Sequence, residues 1–343
     1  MQKFAFLVHL RSYAKDLGRV VPPLGWIPDS AYRYALRNRP LPPIVWSNVT
    51  LTKDSTEPEG YIIMLPYSGR QLLEQQKTML PRVRQAMELA ASKGAGIMGL
   101  GALSSSITMG GKLIADNPHL SVTNGNAYTS VITHTKIVNL IKKVPGRPVV
   151  ALVGATGSVG ALVCLLLARH HAEADYILVA RNERRLRKLA DEMKTINDKV
   201  VSVVSMSMQE VIHADIVVLL TSSADCILHA GHLKANAIVL DDTQPRNSDP
   251  VLLKQRPDVT VIDGGLVKIT HLKTNKIGRL GLPPGISFAC LAETMLLAKA
   301  GYKGNFSIGN PTLDQAEFIS RLADRFAHLG FGIAPDHSFG MPL

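Results

Sequence analysis

Short runs of β-branched and other apolar residues recur through the second half of the chain, and more polar stretches with helical or loop character separate them. Six of these runs predict strands, at 149–153, 176–179, 200–204, 216–220, 237–240 and 259–262. Strands that alternate with helices pair as parallel neighbours, with helices covering both faces of the sheet. The pattern therefore predicts an α/β fold with a doubly wound parallel sheet of the Rossmann type.

The first half of the chain has a more mixed pattern. An apolar run that ends at His9 predicts a first strand, and apolar positions at helical spacing predict a helix over 71–93, which Pro81 should kink or divide. A buried strand is expected at 96–102, with a tight loop at 103–108 behind it, and an apolar helix from about 126 to 143. These elements predict an N-terminal α/β domain.

The segment Val144-Pro145-Gly146-Arg147-Pro148 separates the two patterns, because two prolines and a glycine end a helix and delay the next strand. A chain of 343 residues is also long for one hydrophobic core. We expect an N-terminal α/β substrate domain over 1–145, a Rossmann domain over 146–285, and a C-terminal helical segment over 286–343 with a break near 301–311.

Composition narrows the class of protein. Apolar residues make up 46% of the chain and charged residues 19%, which is typical of a folded globular protein. The net charge of +11 favours acidic partners, but the scattered cations and 5% aromatic content argue against nucleic acid. Three widely spaced cysteines indicate a reducing, cytoplasmic setting. The uncharged stretch 149–168 is interpreted as strand, turn and helix rather than as a membrane span.

A glycine-rich turn between the first strand and the first helix of the Rossmann domain predicts the dinucleotide site. Glycines spaced in this way let the backbone turn tightly and approach a pyrophosphate, which then lies at the helix N-terminus. The turn residues expected to bind the cofactor are Gly154, Thr156, Gly157, Ser158, Val159 and Gly160.

The residues after the second Rossmann strand favour NADPH over NADH. An NAD-binding domain usually has a carboxylate there for the ribose 2′-hydroxyl, whereas Arg181 and Arg184 suit a 2′-phosphate. Polar and glycine residues follow two further strands, at the edge of the sheet where ligands bind. They are Thr221 and Ser222 after the fourth strand and Asp263, Gly264 and Gly265 at the sixth.

Cys290 follows the helix-start signal Pro283-Pro284-Gly285. A thiol in the first turns of a helix lies in the positive end of the helix dipole, which favours the thiolate and makes it a candidate nucleophile. A small buried apolar residue is the alternative, since alanine and leucine surround it.

The run from Phe288 to Leu297, with Asn305-Phe306-Ser307-Ile308-Gly309 behind it, resembles the C-terminal motif of the cyanobacterial long-chain acyl-carrier-protein reductases that form fatty aldehydes. The segments 99–105, 123–129 and 154–160 and the pair His9-Leu10 resemble that family as well, in the same order, although 15–60 matches poorly. The resemblance implies that Cys290 takes the acyl group from an acyl-carrier-protein or CoA thioester. It implies that NADPH then reduces the enzyme thioester to a free aldehyde.

This chemistry needs donors for the oxyanion and a proton source. Ser104, Ser105, Asn126 and Thr129 are the candidates for the polar wall around the carbonyl, and His9 is a candidate proton donor. A structural role in the loop or the core is the alternative for each of them. Release of an aldehyde leaves a peripheral membrane contact open.

Two other functions compete with the acyl-thioester reductase. One is an oxidoreductase similar to shikimate or amino-acid dehydrogenases, without a covalent intermediate, and the other is a dinucleotide-binding sensor without turnover. Cys226, His229 and His232 are spaced like metal ligands, but they have no convincing fourth partner and we expect no metal.

Overall fold

The computed structural model describes residues 2–10, 12–36, 41–170, 173–223, 225–275 and 277–343. The chain forms two compact units. The first comprises Met1–Gly125, Val267–Gly309 and Arg321–Gly332, and the second comprises Asn126–Leu266, Asn310–Ser320 and Ile333–Leu343.

The elements alternate between strands and helices throughout. The first unit contains, up to residue 125, β1 Lys3–Leu10, α1 Tyr13–Val20, α2 Asp29–Leu36, β2 Ile44–Thr50, β3 Gly60–Ser68, α3 Gly69–Glu74, α4 Gln76–Ser92, β4 Ala95–Leu100, α5 Leu103–Ile107 and β5 Ser121–Thr123. The second unit follows with α6 Asn126–Ile141, β6 Val149–Val153, α7 Ser158–His170, β7 Asp175–Val179, α8 Glu183–Ile196, β8 Val201–Ser205, β9 Ile216–Leu219, β10 Ile238–Asp241, α9 Val251–Gln255 and β11 Thr260–Asp263. The rest of the chain forms β12 Leu266–Lys268, β13 Lys273–Thr274, β14 Ile286–Phe288, α10 Ala289–Lys299, α11 Leu313–Arg325, β15 Gly332–Ile333, β16 His337–Ser338 and β17 Met341–Pro342.

The sheet of the first unit has the order β13-β2-β3-β1-β4-β5. The neighbours β3, β1, β4 and β5 pair in parallel, while β2 and β13 add an antiparallel edge. Leu7, Ile63 and Met98 on these strands pack with Val83 and Met87 of α4 in one buried cluster. The N-terminal strand and the α/β character predicted for this part of the chain are confirmed.

The sheet of the second unit has the order β11-β10-β9-β6-β7-β8, and each neighbouring pair is parallel. Alternate residues of β6 enter two different cores: Val150 and Leu152 pack with α6, α7 and α8, whereas Ala151 and Val153 pack on the opposite face. A strand buried on both faces needs apolar residues at every position, which is why these strands are continuous apolar runs in the sequence. The predicted doubly wound Rossmann sheet is confirmed.

The position of α6 differs from the predicted domain boundary at residue 145. Its apolar residues Ile137, Val138 and Leu140 lie in the same buried cluster as Leu152 and Cys164. The helix therefore belongs to the Rossmann unit, because the proline-rich segment after it connects elements of one unit.

Two local predictions for the first unit were wrong. The helix predicted over 71–93 divides at Gln75, between α3 and α4, and Pro81 lies inside α4. Pro81 removes only the hydrogen bond to the carbonyl of Lys77, an exposed residue whose carbonyl water can reach. The loop predicted at 103–108 contains the short helix α5 instead.

The segment that follows the last helix is extended rather than helical. The hairpin of β16 and β17 adjoins Asp263 at the end of β11, whose carboxylate accepts hydrogen bonds from the backbone N–H groups of Phe339 (3.1 Å) and Gly340 (2.7 Å). The same carboxylate pairs with Arg246, whose guanidinium lies 5.6 Å from the centroid of the Phe339 ring. This arrangement, here named the Asp263 clasp, fixes residues 339–340 beside the edge strand of the sheet.

In the part of the chain that the structure describes, no helix combines the length and the apolar character needed to cross a bilayer. The uncharged stretch 149–168 forms β6, the glycine turn and part of α7, as predicted.

Candidate functional site

The glycine turn joins β6 to α7 at the carboxyl end of the parallel sheet. Gly154 has a φ of 90°, and its N–H donates to the carbonyl oxygen of Val179 at 2.8 Å, while Gly157 N–H donates back to the carbonyl of Gly154 at 2.9 Å. The turn is therefore closed by its own backbone and by β7. Residues 156–159 are partly exposed, so the start of α7 is accessible to a ligand.

Side chains are excluded from this turn by close backbone contacts. A Cβ atom at Gly160 would lie 2.4 Å from the carbonyl oxygen of Gly154, and one at Gly154 would lie 2.9 Å from the backbone of Leu220. The three glycines thus give a tight turn and a close packing of helix on strand, which leave an N-terminal helix turn for a pyrophosphate. These residues fit a nicotinamide dinucleotide.

Polar side chains border the turn on two sides. Asn126, the first residue of α6, donates from Nδ2 to Ser158 Oγ at 2.9 Å, and Arg185 donates to the carbonyl oxygen of Thr156 at 2.9 Å. Asn126 was predicted to contact the substrate carbonyl, and the structure places it against the glycine turn. Arg185 was not among the predicted residues, although it lies in the same basic cluster as Arg184.

The basic segment after β7 keeps two cations accessible. Arg181 and Arg184 are exposed, and neither forms an ion pair with the described residues. Glu183, the carboxylate that would compete for a ribose hydroxyl, accepts from Arg187 one helical turn further on. The segment therefore presents positive charge beside the glycine turn.

A hydrogen-bonded network orders the loops that follow β9 and β10. Thr221 Oγ1 donates to Asn247 Oδ1, and Asn247 Nδ2 donates to the carbonyls of Ser223 and Asp225 at 3.1 and 3.0 Å. Asp241 anchors the other side, because its carboxylate accepts from Thr243 and Ser248. Thr221 and Ser222 thus lie at the predicted sheet edge. No pattern in the sequence points to Asn247, which joins the two loops.

Asp242 is the titratable group at this edge that the sequence analysis missed. It is partly buried, it accepts a hydrogen bond from Thr133 of α6, and the glycine pair Gly264-Gly265 packs directly on it. Burial raises the pKa of the Asp242 carboxyl to about 7; the Thr133 hydrogen bond opposes this rise, and the nearby charge of Asp241 adds to it. Asp242 can therefore change its charge near neutral pH.

The residues predicted at the end of β11 divide into two roles. Gly264 and Gly265 leave room for Asp242, because a Cβ at Gly265 would lie 2.0 Å from Asp242 Oδ1. The Asp263 carboxylate is occupied by the donors of the Asp263 clasp and is only 7% exposed. A contact between its side chain and a cofactor stays a prediction that would require breaking the clasp.

Cys290 is the second residue of α10, in the first unit. Phe288 occupies the N-cap in an extended conformation, and no side chain caps the helix. The Cys290 side chain is partly exposed, unlike the residues 291–298 that follow it, all of which are buried. The thiol therefore lies at the accessible, electropositive end of an otherwise buried helix.

The backbone of Gly125 packs directly on Cys290. A Cβ at Gly125 would lie 2.2 Å from Cys290 Cβ and 2.5 Å from its Cα, and Gly125 has a φ of 78°. Only glycine combines this conformation with so close an approach. The turn Asn124-Gly125-Asn126, predicted from its sequence alone, thus places backbone beside the candidate nucleophile.

A buried polar network supports this turn from within the same unit. Thr123 Oγ1 donates to Glu293, which is completely buried one turn after Cys290. Asn124 Nδ2 donates to the carbonyl oxygens of Gly309 at 2.9 Å and Gly110 at 3.2 Å. The network fixes the residues on both sides of the Gly125–Cys290 contact.

His9 ends β1 and is 8% exposed. Its Nδ1 lies 2.8 Å from the carbonyl oxygen of Leu10, and its Nε2 lies 3.4 Å from the N–H of Leu103. The carbonyl requires a proton on Nδ1, so Nε2 accepts from Leu103. This tautomer connects β1 to α5, and a role in proton donation stays a prediction.

The predicted serines lie in α5. Ser104 is completely buried, and its hydroxyl donates to the carbonyl of Gly101 at 2.7 Å, so an oxyanion role would require that bond to break. Ser105 is partly buried. Thr129 lies in α6, where its carbonyl accepts from Thr133. Their proposed contacts with a substrate stay predictions.

The other two cysteines differ from Cys290 in their surroundings. Cys164 is fully buried, which raises the pKa of its thiol far above the ordinary range. Burial also raises the pKa of the Cys226 thiol, which donates to the carbonyl of Asn247 at 3.1 Å. Among the described residues, no group of three or more histidine, cysteine or acidic side chains has an arrangement that could hold a metal ion.

Comparison with known proteins supports the interpretation of the second unit. The family model for shikimate / quinate 5-dehydrogenase matches residues 139–263, which contain the glycine turn and β6 to β11. The long-chain acyl-[acyl-carrier-protein] reductase of Synechococcus elongatus is 27% identical over 73% of this chain and 75% of its own length. These matches support a Rossmann-type oxidoreductase that uses a nicotinamide dinucleotide.

Other similarities cover different parts of the chain. The aminotransferase PigE of a Serratia species is 24% identical over 98% of this chain, which spans 40% of the length of that protein. A dipicolinate synthase polypeptide of Bacillus halodurans is similar in structure with a TM-score of 0.34 and 17% identity, over 49% of this chain and 58% of that one. The iminosuccinate reductase of Paracoccus denitrificans, solved with NAD+, gives a TM-score of 0.32 and 24% identity over 39% and 42%.

Proposed function

We propose that the protein is an NADPH-dependent reductase that converts an acyl thioester into an aldehyde through an acyl-enzyme on Cys290. The observation that carries this proposal is the position of Cys290 in the first turn of α10, partly exposed and against the backbone of Gly125. The relative from Synechococcus elongatus, named for the reduction of long-chain acyl-carrier-protein thioesters, supports the same chemistry.

Cys290 performs the acyl transfer. The positive end of the α10 dipole favours the thiolate, whose sulfur bonds to the acyl carbon while the bond from that carbon to the carrier sulfur breaks. The carrier thiolate leaves and takes up a proton from solvent. Bound NADPH supplies the hydride that reduces the enzyme thioester by two electrons. The resulting oxyanion re-forms its carbonyl and expels the Cys290 sulfur, which frees the aldehyde.

The chain's own residues would hold the cofactor in the second unit. The turn from Gly154 to Gly160 receives the pyrophosphate, and Arg181 and Arg184 bind the 2′-phosphate that distinguishes NADPH from NADH. Replacing both arginines with serine should therefore weaken NADPH binding by about tenfold or more and leave NADH binding nearly unchanged. Fluorescence titration with each dinucleotide measures this difference.

The acyl group would come from acyl-CoA or from an acyl carrier protein. The net charge of +11 suits either of these acidic carriers. A cytoplasmic enzyme and a brief membrane contact on aldehyde release are consistent extensions of this proposal.

Acyl transfer can be tested without NADPH. The full chain is incubated with palmitoyl-CoA, and its intact mass is measured. A single acyl adduct is expected on the wild type and on Cys226→Ala, which removes the other exposed thiol. The Cys290→Ala variant should carry no adduct and should form no aldehyde when NADPH is added. An unmodified wild type, or full aldehyde formation by Cys290→Ala, would contradict the proposal.

A second candidate function rests on the family match. The shikimate / quinate 5-dehydrogenase model covers 139–263, and an oxidoreductase of that kind transfers hydride directly, with no covalent intermediate. It predicts dinucleotide-dependent oxidation of a hydroxy acid by the Cys290→Ala variant at the wild-type rate. The two functions are separated by this variant alone.

A further inference from the structure

A small cavity lies beside the start of α10 in the first unit. It encloses about 140 Å³, and its wall includes Ser287 and Phe288, just before Cys290, and Leu291, just after it. The opposite wall is formed by β13 and by the loop from 278 to 286, which contains Pro283 and Pro284. We name this space the proline-loop cavity.

The outer wall of the proline-loop cavity is attached to the sheet of the same unit. β13 pairs with β2, and Trp46 of β2 donates from Nε1 to the carbonyl of Ile277 at 3.2 Å. Asn275 donates to the carbonyl of Trp46 at 3.2 Å and accepts from Gly278 N–H at 2.7 Å. These bonds hold the wall in place, so the cavity belongs to the folded unit.

The charges around the cavity have one sign. Its lining contains Lys273 and Arg279 and no aspartate or glutamate, and most of the other lining residues are apolar. Lys273 Nζ donates to the carbonyl of Lys53, while Arg279 is exposed and forms no ion pair with the described residues. An apolar floor with a cationic rim is complementary to a ligand that is largely uncharged at one end and anionic at the other.

A larger cavity of about 490 Å³ at the other end of α10 lacks this asymmetry. Its lining combines lysines with Asp54, Glu57 and Glu59, and the Glu59 carboxylate pairs with Lys299 inside it. Because its charges balance locally, it does not select an anion. The proline-loop cavity is therefore the better anion site of the two, and it is the one beside Cys290.

We infer that the proline-loop cavity binds the phosphopantetheine arm of the acyl thioester, with Arg279 binding the phosphate of the arm. This inference rests on the proposed function, since the arm contains the sulfur from which Cys290 takes the acyl group. The same arm occurs in acyl-CoA and in acyl carrier proteins, so one site serves both carriers.

The size of the cavity fits the part of the arm nearest to sulfur. A volume of 140 Å³ equals the space of about five water molecules at roughly 30 Å³ each, which is enough for a short amide-containing segment. The remainder of the arm extends over the rim towards Arg279. This division leaves the phosphate in contact with solvent, where an ion pair contributes modestly to affinity.

The test compares two thioesters that differ in phosphate. Acylation of Cys290 is followed by intact mass, without NADPH and at limiting substrate, for palmitoyl-CoA and for palmitoyl-pantetheine, which lacks the phosphate. In the Arg279→Gln variant, the ratio of the first rate to the second should fall by about fivefold. Arg279→Lys retains the charge and should keep most of the ratio. Arg82→Gln, an exposed arginine of α4 in the same unit, should leave it unchanged.

Each other outcome has a distinct meaning. An unchanged ratio in Arg279→Gln, with Cys290 still acylated, overturns the inference and leaves the proposed function intact. A fall seen with palmitoyl-CoA but not with the palmitoyl carrier protein assigns Arg279 to the nucleotide of CoA and also overturns it. If no thioester acylates the wild type, the proposed function itself fails.

Protection of the thiol gives a readout that needs no turnover. S-ethyl-CoA, an unreactive thioether, should slow alkylation of Cys290 by iodoacetamide in the wild type and protect it less in Arg279→Gln. Equal protection in both proteins would contradict a phosphate contact at Arg279.

Discussion

Asp242 makes the stability of the Rossmann unit depend on pH, and the substitution Asp242→Asn isolates that dependence. The carboxyl has a pKa of about 7 in the folded chain, because burial opposes its charge, against 3.8 in the absence of the fold. Asparagine has nearly the same shape and can still accept from Thr133, but it never ionises.

The sign follows from proton binding. Because the folded pKa is the higher one, the folded state binds more protons than the unfolded state between those two values, and the free energy of unfolding falls as the pH rises. From about pH 5 to about pH 8 the shift amounts to roughly two pKa units, or about 2–3 kcal/mol at 1.36 kcal/mol per unit. The asparagine variant lacks this loss.

The assay is thermal unfolding of wild type and Asp242→Asn at about pH 5 and about pH 8. The variant should resemble the wild type at the lower pH and gain roughly 5–10 °C over it at the higher pH. Asp198→Asn, which removes an exposed carboxylate of the same unit, controls for the change in net charge and should show no such gain. An equal effect of Asp242→Asn at both pH values would refute the raised pKa.

Two glycine contacts give further predictions, each with a matched control. Gly160→Ala places a Cβ 2.4 Å from backbone and should weaken dinucleotide binding in a fluorescence titration by at least about tenfold, whereas Gly231→Ala meets no atom within 4 Å and should not. Gly125→Ala should slow iodoacetamide alkylation of Cys290 or displace its helix, because the new Cβ would lie 2.2 Å from Cys290 Cβ. Gly146→Ala has the same backbone strain, at a φ of 77°, without a neighbour and should leave alkylation unchanged. Unaltered dinucleotide binding in Gly160→Ala, or unaltered alkylation in Gly125→Ala, would show that these contacts relax without consequence.

The Rossmann sheet was predictable because each of its strands is a continuous apolar run that must be buried on both faces. The glycine turn was equally clear, since its glycines serve a backbone shape that is local in sequence. The short strands β12 to β17 have two or three residues each, too few to show a period of two, and they form through contacts with distant segments.

The candidate site was predictable only where one residue type carries the role. Cys290 stands out by its chemistry and by the nearby helix-start signal, although β14 separates that signal from α10. Asp242 could not be singled out, because its pKa depends on burial, on Thr133 in another helix and on a glycine pair in another strand. The commitment of the Ser104 hydroxyl to Gly101 likewise depends on the fold of α5.

The Asp263 clasp has a consequence for self-association. β11 is the outermost strand of its sheet, and an outermost strand exposes backbone donors and acceptors that can recruit a strand from another molecule. The hairpin at 337–342 occupies the neighbourhood of that edge and is held there by one carboxylate. Proteolytic loss of this hairpin would thus leave the edge as a template for intermolecular β-pairing.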